Sequence, residues 1–236
     1  MADSRCLLRV GDQAIPLRLR RHKRARRLTL RLDSRGEGAM ITLPNGVPIA
    51  EALAFAEKQA SWILSRLEDR PQPVPFAHGA IIPLRGEPHA IRHRPDKRGT
   101  VWRVAESREI HVAGDPAHTA RRLRDWLRRE ARATITEKVT AKAASIDVKP
   151  GRITLRDTRS RWGSCAHNGN LSFSWRLILA PPEALDYVVA HEVAHLVHAD
   201  HESRFHRLAA RLAEDAQTGR AWLKAQGQSL HRYGRD

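Results

Sequence analysis

The chain has 236 residues, 41% of them hydrophobic, and no stretch approaches the roughly 18 uninterrupted apolar residues of a membrane span, so we expect no membrane partner. Lys and Arg number 42 against 26 Asp and Glu, a formal charge of +16 that favours anionic partners such as nucleotides or nucleic acid, although a solvated arginine-rich surface gives the same balance. Cys6 and Cys165 are too few for a disulfide scaffold, and residues 1–5 lack the apolar core of a secretory signal, so we expect a cytoplasmic protein.

Short runs of alternating apolar and polar residues dominate the first half of the chain. Four such runs between residues 7 and 43 are separated by Gly, Asp, Ser or Pro, which predicts antiparallel strands in a meander. Pro48 then opens a segment through Leu67 with apolar residues at helical spacing, which predicts a helix packed on those strands. Strand-like runs return between Phe76 and Val112. We therefore predict a β-rich N-terminal region over residues 1–115.

The pattern becomes mainly helical after Gly114-Asp115-Pro116. The predicted elements are a long amphipathic helix over 117–144, strands over 153–155 and 171–175 that flank a turn-rich stretch, and helices over about 182–197, 202–213 and 218–226. This second part, residues 116–236, is predicted to be a helical catalytic domain with a small antiparallel sheet. The fold class expected for the whole chain is α+β.

The run His191-Glu192-Val193-Ala194-His195 is the strongest chemical signal. Helical spacing places His191 and His195 on one face, about 6 Å apart, so both imidazoles can bind one metal ion. Glu192 lies beside that face as a general base, and zinc lowers the pKa of its bound water toward about 7. The alternative is a surface helix with two solvated histidines, but the apolar neighbours of Glu192 argue against it.

A catalytic zinc ion takes three protein ligands and leaves one position for water. The candidates for the third ligand are His198, His201, Glu202 and His206. On a straight helix His198 lies about 10 Å along the axis from His191, which is too far. His201 is better placed if the helix ends near Ala199, and its spacing matches the metzincins, although His198 stands where they have the glycine of the turn. Imidazole ligands also suit nickel, manganese or cobalt.

Several further segments carry a resemblance to a known family. They are Arg161-Trp162-Gly163-Ser164-Cys165, Leu177-Ile178-Leu179-Ala180-Pro181 and His201-Glu202-Ser203-Arg204-Phe205. With the His191 run, they resemble the YgjP-like metallopeptidases, metal-dependent hydrolases related to the SprT and WLM proteases. The resemblance continues more loosely upstream and covers most of the chain. It implies a zincin-like catalytic domain.

The resemblance also implies residue roles. It makes His191, His195 and His201 the zinc ligands and Glu192 the catalytic acid/base. The family has tryptophan after the phenylalanine matching Phe205, whereas this chain has His206, which either contacts substrate or is an exposed helix residue. Independently of the family, Arg161 is a candidate for stabilising an oxyanion or phosphate. Cys165 is a candidate ligand or nucleophile, but its type and number favour a packed small side chain.

Three functions remain open from the sequence. The first is a zinc peptidase that lays an extended peptide or protein substrate along the strand at Leu171 to Trp175. The second is a metal-dependent nucleotide phosphohydrolase, such as a nucleoside triphosphate pyrophosphatase, which the basic charge favours. The third is a nucleic-acid-associated protein with a structural zinc, which needs Cys165 or His206 as a fourth ligand. The SprT relatives degrade DNA-bound proteins, so the resemblance allows peptidase activity and nucleic-acid affinity together.

Overall fold

The chain contains blocks of consecutive strands and blocks of consecutive helices, which confirms the predicted α+β class. The computed structural model describes residues 4–11, 13–33, 38–68 and 72–234, and over these ranges it contains three sheets and six α-helices. The chain divides into two compact units, residues 1–71 and residues 72–236. No helix in the described ranges is long and apolar enough to cross a membrane.

The first unit combines a four-stranded sheet with two helices. Its elements are β1 (Ser4–Val10), β2 (Gln13–Arg21), β3 (Thr29–Leu32), β4 (Ala39–Leu43), α1 (Ile49–Lys58) and α2 (Ala60–Glu68). Every second residue of β2 from Ile15 to Leu19 is buried, and the residues between them are more exposed, as the sequence pattern predicts. The strand order is β1-β2-β4-β3 and β2 runs parallel to β4, so the predicted antiparallel meander is wrong at that pairing. The predicted single helix is broken at Gln59.

The second unit begins with a sheet of the same topology. Its strands are β5 (Ile81–Leu84), β6 (Glu87–Arg94), β7 (Val101–Val104) and β8 (Glu109–Ala113), in the order β5-β6-β8-β7 with β6 parallel to β8. Helix α3 (Thr119–Ala144) follows, close to the predicted bounds. Leu123, Leu127, Ile135 and Val139 recur at helical spacing along its buried face and belong to the same core as the strands.

A small three-stranded sheet precedes the last helices. Its strands are β9 (Ile153–Arg156), β10 (Gly163–Cys165) and β11 (Leu171–Ser174). The central strand, β11, is antiparallel to β10 but parallel to β9, so the prediction of an antiparallel sheet is wrong for one of the two pairings. Strand β10 lies inside the stretch that was predicted as turns. The sequence pattern did not reveal this strand, because Gly-Ser-Cys has little strand propensity.

Three helices complete the second unit: α4 (Pro182–Ala194), α5 (Ser203–Leu212) and α6 (Ala216–Gln226). Helix α4 starts at the predicted proline and is buried along most of its length. It ends at Ala194, earlier than predicted, because the N–H groups of Leu196 and Val197 bond to carbonyls three residues back and tighten the turn. The functional division predicted after residue 115 stays a prediction, although β5 to β8 belong to the compact unit that contains α4.

Candidate metal centre

Three histidines converge where α4 ends. His191 and His195 come from the last turn of α4 and its cap, and His201 comes from the connection to α5. One ring nitrogen from each lies within 4.8 Å of the others. The Nε2 atoms of His191 and His201 are 3.3 Å apart. Tetrahedral zinc with Zn–N bonds of about 2.0–2.1 Å requires its nitrogen ligands to be about 3.3–3.4 Å apart. The His191–His201 pair already has this separation, and the third donor lies within 4.8 Å of both.

Two kinds of contact orient the imidazole rings: a hydrogen bond to a backbone carbonyl and packing against a phenyl ring. His195 Nδ1 lies 3.0 Å from the carbonyl oxygen of His198, and an N–H···O bond there leaves Nε2 for a metal. The ring of Phe205, fully buried, lies with its centroid 4.4 Å from that of His195 and 4.8 Å from those of His191 and His201. In this arrangement His198 contributes its backbone carbonyl to the site.

The surroundings of His191 favour the neutral imidazole, which is the form that binds metal. Burial lowers the pKa of His191 to about 4, and the nearby histidines and Arg220 add to the effect by repelling a second positive charge. Burial also lowers the pKa of His195, although a hydrogen bond to His198 opposes the shift.

Glu192 is buried against the β10 strand, with 6% of its surface exposed. Burial raises the pKa of its carboxyl group to about 7, partly offset by the positive charge of Arg161 and a hydrogen bond from the backbone N–H of Cys165. A Cβ atom on Gly163 would lie 2.6 Å from both Cγ and Oε1 of Glu192. The glycine of the Trp162-Gly163-Ser164-Cys165 motif is therefore required by the close approach of this carboxylate.

An open cleft of about 660 Å³ gives access to the site. It is lined by the three histidines, Glu192, strand β10 and the turn at Leu196 and Val197. An extended substrate can therefore reach the histidines and the carboxylate from the same side.

Other residues singled out in the sequence lie around this centre. Among the described residues, the cluster of donor atoms at this centre contains His191, His195 and His201 and no fourth group. Cys165 lines the cleft, and burial together with the charge of Glu192 raises the pKa of its thiol. His206 is exposed, with its ring centroid 6.3 Å from that of His201. Arg161 is exposed and lines the neighbouring cleft, so its contact with an oxyanion stays a prediction.

Tyr187 and Arg220 belong to the surroundings of the site but were not found from the sequence. Tyr187 precedes His191 by four residues, or about one turn of α4, and their ring centroids are 6.1 Å apart. This contact could have been predicted from the sequence, because residues four apart are neighbours on a helix surface. Arg220 acts on His191 from α6, and no local pattern indicates a contact between those helices.

A helix carrying His-Glu-x-x-His, with a third histidine brought beside it in an open cleft, defines the class of metal-dependent hydrolases. A family model described as YgjP-like, metallopeptidase domain, matches residues 26–226, and the chain therefore belongs to the YgjP-like metallopeptidases. Searches of curated proteins and of solved structures found no significant match. Family membership identifies a metal-dependent peptidase domain and gives no support to a nucleotide or nucleic-acid partner.

Proposed function

We propose that the protein is a zinc-dependent peptidase in which His191, His195 and His201 hold the ion and Glu192 is the general base. The observation that carries this proposal is the convergence of three imidazole nitrogens within 4.8 Å beside a buried carboxylate. A catalytic site needs three protein ligands and an open position, and the cleft provides access to that position.

In the proposed reaction the histidines bind the metal ion and Glu192 transfers the proton. The three histidines would hold a zinc ion, which would act as a Lewis acid and lower the pKa of a water molecule. Glu192 accepts a proton from the attacking water and donates it to the amine that leaves. A pKa of about 7 suits a group that must both accept and donate a proton near neutral pH. The His198 carbonyl keeps His195 oriented throughout.

Strand β10 is the edge along which we place the substrate. The strand predicted for this role, β11, is paired on both sides, so it offers no edge and that interpretation is wrong. In the described sheet, β10 pairs with β11 alone and lies beside Glu192. An extended peptide can add to its other side through backbone hydrogen bonds, with the bond to be cleaved beside Glu192 and the three histidines.

The decisive experiment measures metal content and peptide hydrolysis in Glu192→Gln. We expect this variant to bind one zinc ion per chain and to hydrolyse an unfolded protein at least about 100-fold more slowly, because it lacks the base. Glu183→Gln, which changes another carboxylate on the same helix, serves as the control and should retain full activity.

Chelation should abolish hydrolysis, and re-addition of zinc, nickel, manganese or cobalt then identifies the metals that restore it. Full activity in Glu192→Gln would disprove the role of this carboxylate. Chelator-sensitive hydrolysis of nucleoside triphosphates without any proteolysis would disprove the peptidase.

A further inference from the structure

The small sheet has a polar face that the proposed chemistry does not use. The register aligns Thr154, Ser172 and Ser164 in one row across β9, β11 and β10. Gly163, the neighbour of Ser164, faces Glu192, and successive residues of a strand face opposite sides of the sheet. The row of hydroxyl groups therefore faces away from α4.

Three arginines surround this row of hydroxyls. Arg152 and Arg156 flank Thr154 at two-residue spacing and share its face, and Arg161 comes from the connection to β10. Together they border a cleft of about 490 Å³ whose lining residues include no Asp or Glu. Arg152 and Arg156 are exposed, and neither guanidinium forms an ion pair with any residue that the structure describes. The cleft is thus a concentration of hydrogen-bond donors and positive charge with no carboxylate in its lining.

The arginine-lined cleft adjoins the cleft that is lined by the three histidines. Both are lined by Gly163, Ser164 and Ala166, so only strand β10 and the residue after it separate them. A chain bound along the edge of β10 can place one part beside Glu192 and another over the arginine-lined face.

We propose that the arginine-lined cleft is a subsite for carboxylate groups in an acidic segment of the peptide substrate, outside the residues that flank the cleaved bond. The proposal rests on the peptidase function proposed above and names the substrate class that the site selects. Guanidinium groups form paired, charge-assisted hydrogen bonds to carboxylates. The hydroxyls of Ser164 and Ser172 line the same cleft and can donate further bonds, whereas the Thr154 hydroxyl donates to the Leu171 carbonyl. Phosphate oxygens have similar chemistry, but no Phe, Tyr or Trp among the described residues lines either cleft, so the large aromatic ring on which nucleobases commonly stack is missing from both.

The test is a binding measurement that does not depend on hydrolysis. Zinc-loaded Glu192→Gln protein is titrated into two fluorescein-labelled peptides of the same length. One peptide has four Glu residues on one side of a neutral stretch, and the other has Gln in their place. A second pair carries the four residues on the other side. For one placement, we expect the Glu peptide to bind about tenfold more tightly than its Gln counterpart, as charge-assisted hydrogen bonds require. Adding Arg152→Gln and Arg156→Gln should remove that preference and leave binding of the Gln peptide unchanged.

The matched control separates a local subsite from the general positive charge of the protein. Arg128→Gln with Arg129→Gln removes two exposed charges from α3 and should leave the tenfold preference intact. Charge reversal, Arg152→Glu with Arg156→Glu, should shift the preference to a Lys-containing peptide.

Equal binding of the Glu and Gln peptides in both placements would overturn the proposal, as would an equal loss of preference in the control. Tight competition by a nucleoside triphosphate without any preference for Glu would also overturn it. Intact preference without hydrolysis by the wild-type protein would instead disprove only the peptidase function.

Discussion

At the scale of single residues, the candidate site depends on residues that contact its three histidines and its glutamate. The sequence predicts that His191, Glu192, His195 and His201 share a site, and in the structure all four line the same cleft. Their roles as ligands and base stay predictions. The sequence does not reveal that Gly163 makes room for the carboxylate or that Phe205 touches all three imidazoles, because these contacts join separate elements.

Gly163→Ala should impair catalysis without removing the metal. The added Cβ would lie 2.6 Å from two atoms of Glu192, so the carboxylate must move. We expect kcat to fall about 100-fold, as for a displacement of about 1 Å in an active site, with unchanged zinc content. Gly46→Ala is the control, because its Cβ would meet no atom within 4 Å. Unaltered kcat in Gly163→Ala would refute the crowding described here.

Phe205→Leu should weaken metal binding. The leucine side chain fills much of the same buried space but lacks the flat ring on which His195 stacks. We expect zinc affinity, measured against a competing chelator, to fall roughly tenfold, as for other residues that orient ligands. Leu212→Val, at another buried position of α5, should lower stability without changing zinc affinity. Equal zinc affinity in all three proteins would refute the orienting role of the phenyl ring.

At the scale of elements, periodicity predicted the helices better than the sheets. Helix α3 was predicted nearly in full because its buried residues repeat every three or four positions. The strands were largely found, but alternation does not encode which strands are neighbours, so the parallel pairs β2–β4 and β9–β11 were missed. The early end of α4 depends on a local change of hydrogen bonding that leaves no clear pattern in the sequence.

A buried carboxylate joins the elements that support α4. Asp186 is fully buried, with Oδ1 2.9 Å from Lys138 Nζ and 2.8 Å from Lys142 Nζ, and Oδ2 accepts a hydrogen bond from the Glu214 N–H. Burial alone would raise the pKa of Asp186, but these contacts more than offset it and lower the pKa below its ordinary value. The carboxylate thus connects α3 and α4 to the segment between α5 and α6.

Asp186→Asn should lower the free energy of unfolding by about 3 kcal/mol at pH 7, because two lysines lose their buried partner. A carboxyl group whose pKa is lowered by folding stabilises the protein above its unfolded pKa, about 3.9, and the stabilisation is lost as pH falls through the folded pKa. Urea unfolding from pH 7 to pH 3 should therefore show a difference between wild type and variant that is constant above about pH 5 and shrinks below about pH 4.

The exposed pair of Arg121 and Asp125, 3.7 Å apart, provides the control. Asp125→Asn should change the free energy of unfolding by less than about 1 kcal/mol. A difference between wild type and Asp186→Asn that grows toward acid pH would contradict the assignment of a lowered pKa.

At the scale of the whole molecule, both units begin with the same strand topology. The orders β1-β2-β4-β3 and β5-β6-β8-β7 each join two antiparallel pairs through a parallel pair of central strands. The sequence shows no internal repeat, because the two sheets share alternation and not residue identity. The second of these sheets contributes Ile91, Ile110 and Val112 to the core that contains α4.

Fragments can test where the catalytic domain begins. Residues 72–236 contain the whole core around α4 as well as the three histidines, so we expect this fragment to fold and bind zinc. Residues 116–236, the catalytic domain predicted from the sequence, lack the strands that cover α3 and should unfold or aggregate. Cooperative thermal unfolding and zinc binding by the shorter fragment would instead confirm the boundary at residue 115.

X-ray absorption at the zinc edge tests the central claim most directly. For zinc-loaded protein we predict three imidazole nitrogens at about 2.0–2.1 Å and one further oxygen ligand, with one imidazole lost in His201→Ala. A sulfur ligand at about 2.3 Å, which would place Cys165 on the ion, or an unchanged spectrum in His201→Ala, would contradict the three-histidine site.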